Sequence, residues 1–379
     1  MSSKVYFTDL RTKDYGDGPA VKLKNLIKAA GISDIDMDGK FVAIKIHFGE
    51  RGNLAHIRPQ FARAVVDTVK ELGGRPFLTD CNTLYPGSRK NALEHLQCAW
   101  ENGFTPLTVG CPIIIGDGLR GTDEAIVPLE GTDYIKEARI GRAIMDADVF
   151  ISLNHFKGHN FASLGGALKN IGMGCGSRAG KKDQHSSGLA QINPDLCRGC
   201  RQCQRYCSNG GLVYDDAARK MTVNLDNCTG CGNCLGACNF DAISFKNNNA
   251  NEMLSRRIAE YSKAVLQGRP QFHISLLMDI SPGCDCHCEN DVPILPNIGM
   301  LASTDALAID QAAVDLCAKA EPMPGSKLSD ALHSPGFHDS GNHWNNVHPL
   351  SDWKSCFDQA EKIGIGSREY ELITINTTR

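Results

Sequence analysis

The chain has 379 residues, a net charge of −3, and is 42% hydrophobic and 22% charged, which is the composition of a globular protein with more than one folded unit. Near-neutral charge excludes a global field that favours nucleic acid or an anionic membrane, and no stretch has the uninterrupted apolar length of a membrane span. The outlier is cysteine, with 17 residues, and its grouping in metal-ligand spacing argues against a disulfide scaffold.

In chain order, the N-terminal MSSKVYFTDLRTKDYGDG lacks the apolar core of a secretory signal, so a reducing, cytoplasmic setting is expected. Residues 5–10 read as a strand, 20–30 as a helix, and 41–48 (FVAIKIHF) as a buried strand. Residues 59–72 form an amphipathic helix closed by Gly73 and Gly74. Strands are expected at 76–79, 112–115, 125–128 and 147–153, and helices at 88–102 and 138–145. This alternation predicts an α/β body with a largely parallel sheet. Such sheets carry their sites at the carboxyl ends of the strands, where His47, Asp80 and Asn154 fall.

Residues 154–185 are glycine-rich and basic, and read as loop with one or two helical turns at 164–171. In the second half, 253–266 is a helix and 272–280 a strand. Residues 292–298 and 300–301 make another short strand region. Thr304 and Asp305 cap a helix over 306–319, a loop covers 333–348, a helix 351–362 and a strand 371–375.

Residues 197–238 interrupt this pattern. Cys197, Cys200, Cys203 and Cys207, then Cys228, Cys231, Cys234 and Cys238, each read C-x2-C-x2-C-x3-C. That is the ligand spacing of a bacterial two-cluster ferredoxin, in which the fourth cysteine of each run serves the other cluster. One 4Fe–4S cluster is thus assigned to Cys197, Cys200, Cys203 and Cys238, and the second to Cys228, Cys231, Cys234 and Cys207. The proline that usually follows the fourth cysteine is replaced by Ser208 and Asn239. Zinc held by C-x2-C pairs fits the three-cysteine core poorly. The expected fold is an α/β body of largely parallel sheet, residues 1–190 and 248–379, interrupted at 191–247 by a small α+β two-cluster ferredoxin-like domain.

Four further patterns carry chemistry. Cys284 and Cys286, with His287 and Cys288, alternate on an extended chain and can converge on a metal or further cofactor, act as a redox pair, or simply form a cysteine-bearing turn. His155, Lys157, His159 and Lys169 suit an anionic substrate or proton exchange, or are solvent-exposed loop residues. The glycines at 172, 174 and 176 do not match the dinucleotide fingerprint. His333, His338, His343 and His348 are spaced for neither a helix face nor a strand face, which favours surface positions. The glycosylation pattern at 376–378 has no meaning in a cytoplasmic chain.

Together the segments IKIHFGERG (44–52), DCNTLYPGSR (80–89), NHFKGH (154–159), GGALKNIGMGCGSRAGK (165–181), CDC (284–286), IGMLASTDALAIDQA (298–312) and IGIGSREYELI (363–373) resemble the prokaryotic family of the domain of unknown function 362, in its ferredoxin-containing form. The resemblance spans nearly the whole chain. It implies the architecture and an iron–sulfur protein more than any reaction. Three functions follow as expectations: a redox enzyme passing electrons between two 4Fe–4S clusters and a small substrate or second cofactor; an electron carrier or adaptor for a redox partner protein; or a redox sensor or metal-handling factor. His47, Asp80, His155, Lys157, His159 and Lys169 are the expected site residues of the enzyme, with Cys284 and Cys286 beside them.

Overall fold

A computed structural model describes residues 2–12, 15–85, 87–207, 209–247 and 249–375. Ser208 and the acceptor pattern at 376–378 lie outside the described residues.

Eight strands form one sheet in the order Tyr370–Thr374, Ser3–Asp9, Gly299–Ser303, Gln271–Leu277, Val149–His155, Phe41–Lys45, Arg75–Asp80 and Ile113–Ile115. Only Gly299–Ser303 runs antiparallel to its neighbours; the other pairs are parallel. The largely parallel α/β body expected from the alternation is therefore present. Both faces are covered, as such a sheet requires. Along Val149–His155, Val149, Ile151 and Leu153 enter one hydrophobic core with Leu26, Val65 and Val69 from the helices Pro19–Ala29 and Pro59–Glu71. Phe150 enters the other, with Ile171, Ile258, Ile309 and Phe357 from Ala167–Cys175, Ala250–Leu266, Ala306–Ala318 and Lys354–Lys362. The period-two split is the pleat itself. Pro19 and Pro59 open their helices at positions where a missing N–H costs nothing.

Four expectations are corrected. Residues 138–145 are not a helix: Glu137–Gly141 pairs with Glu124–Pro128 as a separate hairpin, and only Arg142–Met145 is helical. Ala138 and Ile140 point inward in alternation, a strand period that outweighs the helical composition. Residues 154–185 are not mainly loop. They form the hairpin of Lys157–His159 with Ser163–Gly165, then the helices Ala167–Cys175 and Arg178–Gln184. Glycine sits within the first helix because a Cβ at Gly172 would lie 2.1 Å from the Ile258 carbonyl oxygen. The helix accepts glycine's conformational cost to reach that packing distance. Residues 292–298 make no strand, since Pro293 and Pro296 lack ladder donors. The 333–348 loop contains the helix His343–Val347, capped by Asn342.

Between the two halves of the body lies a small unit with its own hydrophobic cluster. Its first strand, Ala190–Ile192, pairs antiparallel with its last, Ile243–Phe245, so the chain enters and leaves it at one place. The hairpin of Leu212–Asp215 with Lys220–Val223 and the one-turn helices Gln202–Arg205 and Asn233–Gly236 complete it.

Candidate functional site

Four parallel strands end at the same edge of the sheet. The residues at and after their carboxyl ends converge on one open-mouthed cavity. His47 follows Phe41–Lys45, Asp80 ends Arg75–Asp80, Asn154 and His155 end Val149–His155, and Cys284 to Cys286 follow Gln271–Leu277. The hairpin and helix after His155 add Lys157, His159 and Lys169. Every body side chain singled out from the sequence as a site residue lines this cavity. The four histidines spaced by five do not converge on it: His343 bonds the Ala320 carbonyl, and buried His348 bonds the Pro282 carbonyl at 2.6 Å.

The floor is a buried charge network. Lys45 Nζ lies 3.0 Å from Asp80 Oδ1 and donates to Asn170 Oδ1 at 2.9 Å. Arg89 spans Asp80 at 3.4 Å and Glu50 at 3.2 Å. Burial raises the Asp80 carboxyl, but Lys45 and the neighbouring histidines outweigh it and hold the group well below the usual carboxylate range. Lys45, Glu50 and Arg89 were not singled out as site residues, although all three stand inside the quoted IKIHFGERG and DCNTLYPGSR segments.

The wall is built from two segments in close backbone contact. Gly158 N–H donates to the Ser281 carbonyl at 2.9 Å, and a Cβ at Gly158 would sit 2.1 Å from the Pro282 oxygen. Only glycine lets the Lys157–His159 strand approach this way. Lys157 Nζ then donates to Cys284 Sγ at 3.4 Å. Cys284 and Cys286 are joined as a disulfide. Between them Asp285 is fully buried and meets His155 Nδ1 at 2.9 Å.

The remaining cavity groups are cationic or neutral donors. Burial, together with Lys157 and Lys45, pushes the Lys169 ammonium well below its ordinary value, and no hydrogen bond or ion pair is found for it among the described residues. Lys157 is lowered by burial too. Burial, and then Lys169 and Lys157, hold His159 well below its usual value. His159 Nδ1 accepts from the Phe161 and Ala162 amides at 3.2 and 3.1 Å, so the proton of the neutral ring sits on Nε2. His47 Nδ1 likewise accepts from Gly49 N–H at 3.1 Å. Lys157, Lys169, His47 and His159 thus face the cavity without an ion-pair partner among the described residues.

In the small unit, Cys197, Cys200, Cys203 and Cys238 line one recess, and Cys207, Cys228, Cys231 and Cys234 line another. Each recess gathers three cysteines of one run and the fourth of the other, and none of the eight is in a disulfide. Gly199, Gly230 and Gly232 adopt φ of 64°, 71° and 76° beside them. The second set abuts the body. A Cβ at Gly230 would lie 2.2 Å from the His185 carbonyl oxygen, and one at Gly232 2.5 Å from the Phe161 ring. Cys231 and Asn233 consequently line the large cavity together with Lys169 and Cys284.

A sequence model of the family described as Domain of unknown function (DUF362) matches residues 42–315. The Thylakoid-associated protein sll1697 of Synechocystis sp. (strain ATCC 27184 / PCC 6803 / Kazusa) is 29% identical over 177 residues, which is 44% of this chain and 49% of that protein. The chain thus spans about half the length of the curated relative it matches. The lactate racemase apoprotein from Thermoanaerobacterium thermosaccharolyticum aligns with a TM-score of 0.41 and 10% identity, covering 98% of this chain and 82% of that one. A protein from Thermotoga maritima aligns with a TM-score of 0.38 and 11% identity, covering 79% and 57%. Neither likeness is close enough to carry an argument about this site. No helix among the described residues is long and apolar enough to cross a membrane.

Proposed function

This chain belongs to the DUF362 family, and we propose that it is an iron–sulfur redox enzyme that exchanges electrons with a small anionic substrate in the cavity of the α/β body. Cys197, Cys200, Cys203 and Cys238 would hold one 4Fe–4S cluster, and Cys228, Cys231, Cys234 and Cys207 the other, in a ferredoxin-like insert. The donor sets fit: eight unpaired thiols stand in two groups of four, with positive-φ glycines that let the backbone turn closely around them. When bound, such clusters supply single electrons.

The observation that carries the reading is Cys231, which belongs to the second set and also lines the substrate cavity. Exposed Cys200, in the first set, lies at a face a redox partner protein can reach. Within the cavity, Lys157 and Lys169 would neutralise the substrate's charge. His47 and His159, neutral and each with a free N–H, would donate to the substrate or move protons as its charge changes. Asp80, fixed by Lys45 and Arg89, orients the floor rather than titrating.

The test is an anaerobic screen. The reduced protein is mixed with small carboxylates, phosphates and sulfur oxyanions, and oxidation is followed by visible absorbance. Oxidation by a small anion, slowed in Lys169→Met, supports the enzyme. Oxidation by protein partners alone supports the carrier reading and removes this one.

A further inference from the structure

We propose that Cys284 and Cys286 form a redox-active disulfide, a two-electron acceptor inside the cavity. The inference deepens the redox reading above and rests on it only for the source of the electrons.

The pair differs in setting from the protein's other cysteines. Cys284 is buried, Cys286 is partly open, and both line the cavity, so a small reactant reaches the bond from one side only. Lys157 Nζ lies 3.4 Å from Cys284 Sγ. An ammonium at that distance favours a thiolate, and the favoured thiolate is the better leaving group when the S–S bond is attacked. The attack is therefore directed at the sulfur of Cys286, the more accessible one, and Cys284 departs toward Lys157. The segment is held while the sulfurs part. Asp285 is tied to His155 at 2.9 Å, Gly158 to Ser281 at 2.9 Å, and His348 to Pro282 at 2.6 Å.

The balance is simple. Two electrons break the S–S bond and leave two thiolates, and two protons complete the dithiol. The donor is either two one-electron steps from a low-potential carrier or a single dithiol that leaves as its own disulfide. Each cluster would pass one electron at a time, whereas the disulfide takes up and releases two at a single place in the cavity.

The competing use of these sulfurs is metal binding, because a His159 ring nitrogen and the Cys284 and Cys286 sulfurs lie within 4.8 Å of one another. His159 is set against that use. Its Nδ1 accepts two backbone N–H groups, which keeps the proton on Nε2, and a metal there would have to displace it.

The experiment traps thiols in the full-length protein purified without oxygen. Samples are left untreated, reduced with dithionite, or reduced with dithiothreitol, then quenched in acid, alkylated and mapped by peptide mass. Cys288, exposed and outside the disulfide, labels in every sample and is the internal standard. Expected are unlabelled Cys284 and Cys286 before reduction and complete labelling after either reductant. In Lys157→Gln, the pH midpoint for native alkylation of Cys284 should move upward. Labelling of both thiols in the untreated protein overturns the inference, as does a disulfide that neither reductant opens. Stoichiometric zinc lost in Cys284→Ser overturns it in favour of a metal site. Reduction by dithiothreitol in a protein that contains no iron keeps the disulfide and removes the cluster reading. Intact clusters with permanently reduced thiols do the reverse.

Discussion

His155 Nδ1 lies 2.9 Å from Asp285 Oδ2, while Nε2 of the same ring lies 2.8 Å from the Met278 carbonyl oxygen. A carbonyl only accepts, so Nε2 carries a proton. An ionised Asp285 requires Nδ1 to carry one as well. Burial raises the Asp285 carboxyl, but His155 and Lys157 outweigh it and hold the group well below the usual carboxylate range. The result is a buried histidine–carboxylate pair that clamps the CDC segment to the end of Val149–His155.

Breaking that clamp should be expensive. His155→Ala leaves a buried carboxylate without its partner, and a loss of ~3–5 kcal/mol is expected by urea unfolding. The contribution of Asp285 has a definite pH sign. Its folded-state value lies below the unfolded value near 3.9, so its stabilisation is full above about pH 4 and is lost as pH falls further. The stability difference between wild type and Asp285→Asn should be constant from pH 5 to 7 and shrink in more acid solution.

Asp310 has the opposite sign. It accepts from the Ala167 and Leu168 amides at 2.6 and 2.9 Å, capping from a distance the helix that presents Lys169 and Asn170. Gly166 cannot cap that helix itself, and a Cβ there would meet Asp310 at 2.3 Å. Burial pushes the Asp310 carboxyl up to about 7. Its contribution is full below about pH 4 and is lost as pH rises through 7, with a slope of up to ~1.4 kcal/mol per pH unit. Asp310→Asn should flatten the stability profile between pH 4 and 7.

Lys169 has no partner among the described residues, and burial beside Lys157 and Lys45 disfavours its ammonium, so a bound anion that restores the charged form should stabilise the fold. A small anion that binds the cavity should raise Tm in proportion to the logarithm of its concentration. Lys169→Met should weaken that anion about tenfold, roughly 1.4 kcal/mol, with little change in the ligand-free Tm. Equal shifts in both proteins would place the anion elsewhere.

Gly232 fixes the docking of the insert. Its φ of 76° is strained for any other residue, and Phe161 occupies the space a Cβ would take. Gly232→Ala should destabilise the native state by ~1–3 kcal/mol. Hydrogen exchange should rise at both 159–163 and 228–236 if that contact is what joins the two units.

The parts legible in the sequence were those with a strong local period or spacing. The buried strands Phe41–Lys45 and Val149–His155 and the helix that follows Thr304 and Asp305 are of this kind. The convergence of His47, Asp80 and Asn154 was legible because parallel strands place their carboxyl ends together. What was hidden depended on contacts between distant residues. The glycines of 165–176 looked like loop because the reason for them, the Ile258 carbonyl and the Asp310 carboxyl, lies far away in the chain. Lys45 and Arg89 looked like ordinary charges until the fold buried them around Asp80. The link between the insert and the cavity rests on Phe161 meeting Gly232, which no spacing encodes.

The most direct measurement is iron and acid-labile sulfide in protein purified without oxygen, with EPR after reduction, on wild type and Cys231→Ser. The account predicts about eight of each per chain and two interacting 4Fe–4S signals in wild type, and loss of the cavity-side signal in the variant. Zinc in place of iron, or a Cys231→Ser protein with both signals unchanged, would contradict it.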